Sequence, residues 1–116
     1  MNNRVDLSKM FKALGDPTRL HIYEFLRAQN CEIAVGEAGE VQVTSGPTAG
    51  QICCHITGQP EINSTISHHL RELRLANLII MERRGKNMIC SINLASYAVL
   101  SDFINNKAVM QNERCC

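Results

Sequence analysis

The chain has 116 residues, a formal net charge of +1 and 45% hydrophobic residues, of which few are aromatic and none is Trp. A single domain of that length buries about 60–70% of the surface its unfolded chain exposes, so an aliphatic core suffices and no disulfide is required. No apolar run approaches a membrane span and the first residues lack the apolar stretch of a secretory leader, so no membrane partner is expected and the protein is placed in the cytoplasm.

In chain order, Leu7, Met10, Phe11 and Leu14 mark an amphipathic first helix stopped by Gly15. Asp16 and Pro17 then read as N-cap and first residue of a second helix that turns Leu20, Ile22, Phe25 and Leu26 inward. Residues 29–47 break the helical pattern; within them residues 40–44 alternate like a short strand, and Ser45-Gly46-Pro47 turns the chain. Pro47 is expected to open a third helix, with Ala49, Ile52, Cys53 and Ile56 on one stripe and Gly58 and Pro60 ending it.

Asn63 is a good N-cap for a fourth helix, whose Ile66, Leu70 and Leu73 form the core stripe. The rest of that helix is polar or basic: Ser64, Thr65, Ser67, His68, His69, Arg71 and Arg74 offer hydroxyl, imidazole and guanidinium donors. Such groups suit phosphate oxygens and base edges in a DNA groove. Asn77 can supply the left-handed residue that ends the helix, and residues 78–83, 84–86 and 87–92 read as strand, glycine-bearing turn and strand. A hairpin carrying Arg83, Arg84 and Lys86 directly after a recognition helix is the winged form of helix-turn-helix DNA binding. A last helix runs from Leu94 to about Met110, with Tyr97, Leu100 and Ile104 on one face and Val99 and Phe103 on another. Apolar groups on two faces exceed what one small domain covers, which points to pairing with a second subunit.

The fold class is thus mainly α with a small β-hairpin, in the order α-α-α-α-β-β-α, as one homodimeric domain over residues 1–116. Charge is divided accordingly. Residues 28–62 hold four Glu and no Lys or Arg, whereas residues 63–90 hold five basic and two acidic groups.

Ala13-Leu14-Gly15-Asp16-Pro17-Thr18-Arg19-Leu20, then Ser64-Thr65-Ile66-Ser67-His68-His69-Leu70 with Leu73 and Leu78, then Glu82-Arg83-Arg84-Gly85-Lys86, resemble the ArsR/SmtB family of bacterial winged-helix repressors. The resemblance covers nearly the whole chain. It implies a homodimer that binds a palindromic operator in double-stranded DNA and lets go when a metal or metalloid ion binds. The stretch at 29–47, with Glu32, Glu37 and Glu40, looks like an insert relative to the family's short connection.

Six cysteines in a cytoplasmic chain argue for thiolate chemistry rather than structural disulfides. Cys90 reads as a small core residue, Cys31 begins the insert, and the others form two adjacent pairs, Cys53-Cys54 and Cys115-Cys116. Neighbours on a regular helix point about 100° apart, so Cys53 and Cys54 reach one ion only if the helix end is distorted, and Cys53 also fits the core stripe. The pair at the end of residues 111–116 follows a polar, mobile stretch and could swing toward a partner site.

The resemblance adds that the segment like Ile52-Cys53-Cys54-His55-Ile56 typically carries Cys-x-Cys as inducer ligands. Here Cys54 matches the second Cys, while Ile52 stands at the first. Some relatives instead bind Zn(II) through Asp, His and Glu on the last helix; this chain has Asp102 there but no His from Leu94 onward. Three thiolates fit As(III) or Sb(III) as inducer, and four would suit Cd(II), Pb(II) or Zn(II); a redox sensor working through oxidised cysteines is the other reading. No Cys-x-x-Cys motif occurs, so an enzyme such as a thiol reductase is not expected.

Overall fold

The computed structural model describes residues 3–29, 34–35, 41–42, 46–59 and 61–105. Five helices and two antiparallel strand pairs follow in order: α1 (Asn3–Leu14), α2 (Pro17–Gln29), β1 (Ala34–Val35), β2 (Val41–Gln42), α3 (Ala49–Thr57), α4 (Ser64–Leu75), β3 (Ile79–Arg84), β4 (Asn87–Ile92) and α5 (Leu94–Ile104). The expected winged helix-turn-helix order is present, with β1 and β2 paired in addition within the segment read as an insert. Most of that segment, with Cys31, lies outside the described residues, as do residues 106–116 and with them the expected end of the last helix.

Local chemistry sets the breaks. Asp16 caps α2: its carboxylate accepts from the Arg19 N–H at 3.0 Å, and its carbonyl accepts from Leu20 N–H at 2.9 Å. That donated bond, with His69 and Arg19 nearby, holds the Asp16 carboxyl below the usual carboxylate range. The third helix starts after Pro47 rather than on it, because Thr48 is the N-cap. Its hydroxyl accepts from Gln51 N–H at 3.1 Å while the Gln51 side chain accepts from Thr48 N–H at 2.8 Å, a reciprocal capping box. Pro47 stays outside the helix, and its carbonyl accepts from Cys90 N–H at 2.9 Å. Thr48 is bridged to Ile89, so this segment lies along the free edge of β4. Gly46 is required there, since a Cβ would run into the Cys90 carbonyl oxygen.

α4 ends in a Schellman motif. Asn77 has φ 64°, its N–H donates to Arg74 O at 2.9 Å, and Leu78 N–H reaches back to Leu73 O at 3.0 Å. Leu73 and Leu78 are both fully buried, the apolar contact that accompanies this cap. β3 and β4 then pair from Ile79 opposite Ile92 to Arg84 opposite Asn87, leaving Gly85 and Lys86 as a two-residue turn. Gly85 has φ 64°, the positive first residue that a type II′ hairpin needs.

The core gathers Ile22 and Leu26 of α2, Ile52 of α3, Leu70 and Leu73 of α4, Leu78, and Cys90 and Ile92 of β4. Two inward assignments differ from the expected set. On α2, Tyr23 is buried and Leu20 exposed, and on α1, Phe11 is exposed while Met10 and Ala13 are buried. In both helices the apolar arc is wider than the buried one, and packing selects the part that meets the core. The Tyr23 hydroxyl is buried without a hydrogen bond among the described residues, and burial pushes the phenol up to about 12.

Candidate nucleic-acid interface

Within the helix-turn-helix, Gly58 closes α3 in the left-handed region at φ 80°, its N–H donating to Cys54 O. Thr57 then ties the turn: its hydroxyl donates to Cys53 O at 2.7 Å and accepts from Gln59 N–H at 3.1 Å. The Cys53 thiol donates to Glu61 O at 3.0 Å. Asn63 caps α4 through its side-chain oxygen, which accepts from Ile66 N–H at 2.8 Å. The angle between α3 and α4 is therefore set by side-chain bonds as well as by packing.

With Ile66, Leu70 and Leu73 buried, α4 leaves Ser64, Thr65, Ser67, His68, Arg71, Arg74 and Leu75 exposed. Ser67, Arg71 and Arg74 face Arg83 and Lys86 of the hairpin across a groove of about 460 Å³ floored by Ala49, Leu70, Met81 and Met88. Among the described residues no acidic side chain lines it. Arg84 projects at the hairpin tip and lies 3.9 Å from Glu82, an exposed pair too weakly coupled to hold the guanidinium back.

His69 is placed differently from the other candidates. Its side chain is 13% exposed, with Nδ1 3.2 Å from an Arg19 guanidinium nitrogen and 3.8 Å from the Asp16 carboxylate. A guanidinium can only donate, so at the shorter distance Nδ1 accepts and the ring proton is assigned to Nε2. Arg19 also donates through Nε to Ala13 O at 2.8 Å. This residue, not singled out from sequence for a role, thus fastens α4 to the junction of α1 and α2. The Asp16 cap three residues earlier fixes where Arg19 begins, but nothing local signals its partner 50 positions away.

The thiols also separate. Cys53 is 0% exposed and its hydrogen is engaged, so it sits as a core thiol, whereas Cys54 is exposed. Cys90 is buried as expected, and burial pushes its thiol up to about 11. Cys115 and Cys116 lie outside the described residues. Among the described residues no three His, Cys, Asp or Glu side chains stand close enough to hold one metal ion.

A second exposed surface lies away from this face. Phe11 and Phe103 meet edge to face with centroids 5.7 Å apart, and a groove of about 320 Å³ between α1, α2 and α5 is lined by Leu14, Leu20, Tyr23, Tyr97 and Ile104. No helix among the described residues is long and apolar enough to cross a membrane.

No protein-family model matches the chain. A transcriptional repressor of Bacillus subtilis (strain 168), SdpR, is 33% identical over 100 residues, covering 85% of this chain and 86% of that protein. The crystal structure of an ArsR family transcriptional regulator superposes with a TM-score of 0.66 at 16% identity, covering 97% of this chain and 96% of that one. The solution structure of a homodimeric winged helix-turn-helix DNA-binding domain, from a possible ArsR-family regulator of Mycobacterium bovis, gives 0.55 at 16% identity, covering 96% of this chain and 88% of that one. A winged-helix scaffold, an exposed α4 face bearing Arg71 and Arg74, and a repressor relative matched over most of both chains agree: the chain belongs to the ArsR/SmtB family of transcriptional regulators and is not an enzyme.

Proposed function

We propose that the protein is a homodimeric repressor that binds a palindromic operator and dissociates when a thiophilic ion binds. The observation that carries the DNA part is the α4 face, where Ser64, Thr65, Ser67, His68, Arg71 and Arg74 are exposed beside Arg83, Arg84 and Lys86 of the hairpin. Short hydroxyls and Arg71 serve base edges, and the hairpin cations serve flanking phosphates. His69 acts one step back, holding α4 in place through Arg19.

For the dimer, the support is the exposed apolar surface of α1 and α5, where Ile104 is 69% and Phe103 57% exposed. For induction, Cys54 is the exposed thiol of the α3 pair, and Cys115 and Cys116 supply the further thiolates that As(III) or Sb(III) would take. Cys53 joins them only if its bond to Glu61 breaks. An ion linking α3 to a chain end favours a dimer shape in which the two recognition helices no longer match successive major grooves.

The test is binding of the reduced protein to DNA selected from a palindromic library, titrated with arsenite, antimonite, Cd(II), Pb(II) and Zn(II). Truncation before Cys115, and separately Cys54→Ser, should leave DNA affinity unchanged and abolish release; Cys90→Ser should release as wild type does. A truncated chain released at the same arsenite concentration as the intact one removes the C-terminal pair from the sensor. Release by peroxide but by none of the ions assigns the thiols to redox sensing instead.

A further inference from the structure

His21 and His55 take no part in the DNA face, the thiol site or the apolar surface. They come from different helices, α2 and α3, yet their ring centroids lie 5.3 Å apart with planes at 68°. His55 is also stacked on Phe25, centroids 4.1 Å apart and planes at 21°, which fixes its ring while leaving the nitrogen edge uncovered by that contact. Both histidines are exposed, and among the described residues neither ring makes a hydrogen bond or ion pair.

The spacing has a chemical meaning. An imidazole nitrogen bound to a divalent ion at about 2.0–2.1 Å places its ring centroid about 3.2 Å from that ion, and two such rings at a tetrahedral angle lie about 5.2 Å apart. The observed separation is compatible with this, and it is also that of an edge-to-face ring contact. The local charge also admits a cation: α3 contains no Lys or Arg, and Arg19 and Arg27 are turned about 160° and 120° around α2 from His21.

We propose that His21 and His55 form a two-imidazole site for a borderline divalent transition-metal ion, of the Zn(II) or Ni(II) kind, with water completing the coordination. Imidazole is the preferred nitrogen donor for such ions, and the stacked His55 loses little freedom on binding. Cys54 precedes His55 by one residue and is turned about 100° from it around α3, so the imidazole pair is separate from the thiolate reading. Because α3 leads through a hydrogen-bonded turn into α4, an ion here clamps the helix-turn-helix to α2.

The experiment is a Zn(II) titration of the reduced, nitrogen-15-labelled full chain, read at the imidazole nitrogens. The ring signals of His21 and His55 should move together while those of His68 and His69 stay in place. His21→Gln should weaken the His55 response by at least about tenfold, since losing a ligand costs no less than losing its outer-shell partner, about 10–100-fold. His55→Gln gives the reciprocal result, and Cys54→Ser leaves the response intact. Zinc should also raise the thermal unfolding temperature of Cys54→Ser but not of Cys54→Ser combined with His21→Gln. The proposal is overturned if the ring signals of His21 and His55 do not move, or if the His55 response survives His21→Gln and disappears with Cys54→Ser.

Discussion

On α4, Ser64, His68 and Arg71 stand in solvent over a buried stripe of Ile66, Leu70 and Leu73; on α5, Tyr97, Phe103 and Ile104 stand in solvent over Leu100. The two faces are similar in exposure and opposite in chemistry. One offers hydrogen-bond donors and cations, which lose nothing by facing water and gain when phosphates replace it. The other offers aromatic and aliphatic surface, which gains only when water is removed. Exposure alone does not separate a working surface from a resting one; the kind of group exposed says which partner would relieve it.

The largest break in this comparison should come from putting a charge on the apolar side. Ile104→Glu places a carboxylate in the proposed seam and should cost several kcal/mol of association, so that sedimentation equilibrium shows monomer and operator binding falls with it. A wild-type monomer at micromolar concentration would remove the second subunit from the account. On the other side, Arg71→Ala should weaken operator binding by about 1–3 kcal/mol and relax sequence preference, if its guanidinium reads a base edge. Arg84→Ala and Lys86→Ala should be milder and differ in kind. Each should lower affinity for all DNA alike and reduce the slope of log affinity against log salt by about one unit, measured by fluorescence anisotropy at several salt concentrations. Unchanged affinity in both Arg71→Ala and Arg84→Ala would dismiss the proposed docking.

The smallest effect concerns the junction that holds α4. Asp16 titrates below the ordinary carboxylate range because its ionised form accepts the Arg19 N–H. The ionised carboxylate therefore stabilises the fold at pH above the unfolded carboxyl's value, and that contribution is lost as pH falls through the lower folded one. Asp16→Asn keeps a capping oxygen but no titration, so its acid unfolding curve should be flatter than that of wild type at the low-pH end.

Much of the scaffold of α4 and the hairpin was legible because its signals are local. Asn63 announces a cap three residues before Ile66, Asn77 announces a left-handed helix end before a strand, and Gly85 announces the turn, although Arg84, expected in that turn, pairs with Asn87 as the last residue of β3. What stayed hidden depends on distant parts of the chain. Leu20 and Tyr23 are both apolar, and only the packing of α2 against its neighbours decides which is buried. The register of α3 already set Cys53 on the core stripe and Cys54 off it, but the carbonyl of Glu61, reached across a turn, was not foreseeable as the partner of the Cys53 thiol. His69 sits among exposed polar residues of α4 in sequence, yet its ring lies on the flank that meets Arg19.

The segment at 46–48 has a consequence for how the hairpin opens. Thr48 is bridged to Ile89 and Pro47 accepts from the Cys90 amide, so β4 is bordered on one side by β3 and on the other by the approach to α3. β3 has no such second neighbour among the described strands. In deuterium oxide, the Cys90 amide should hold its proton through the local openings that release amides on the outer edge of β3, exchanging only when the approach to α3 also lets go. The hairpin would then fray from its outer strand inward, and its inner strand would share the cooperative unit of the helix-turn-helix.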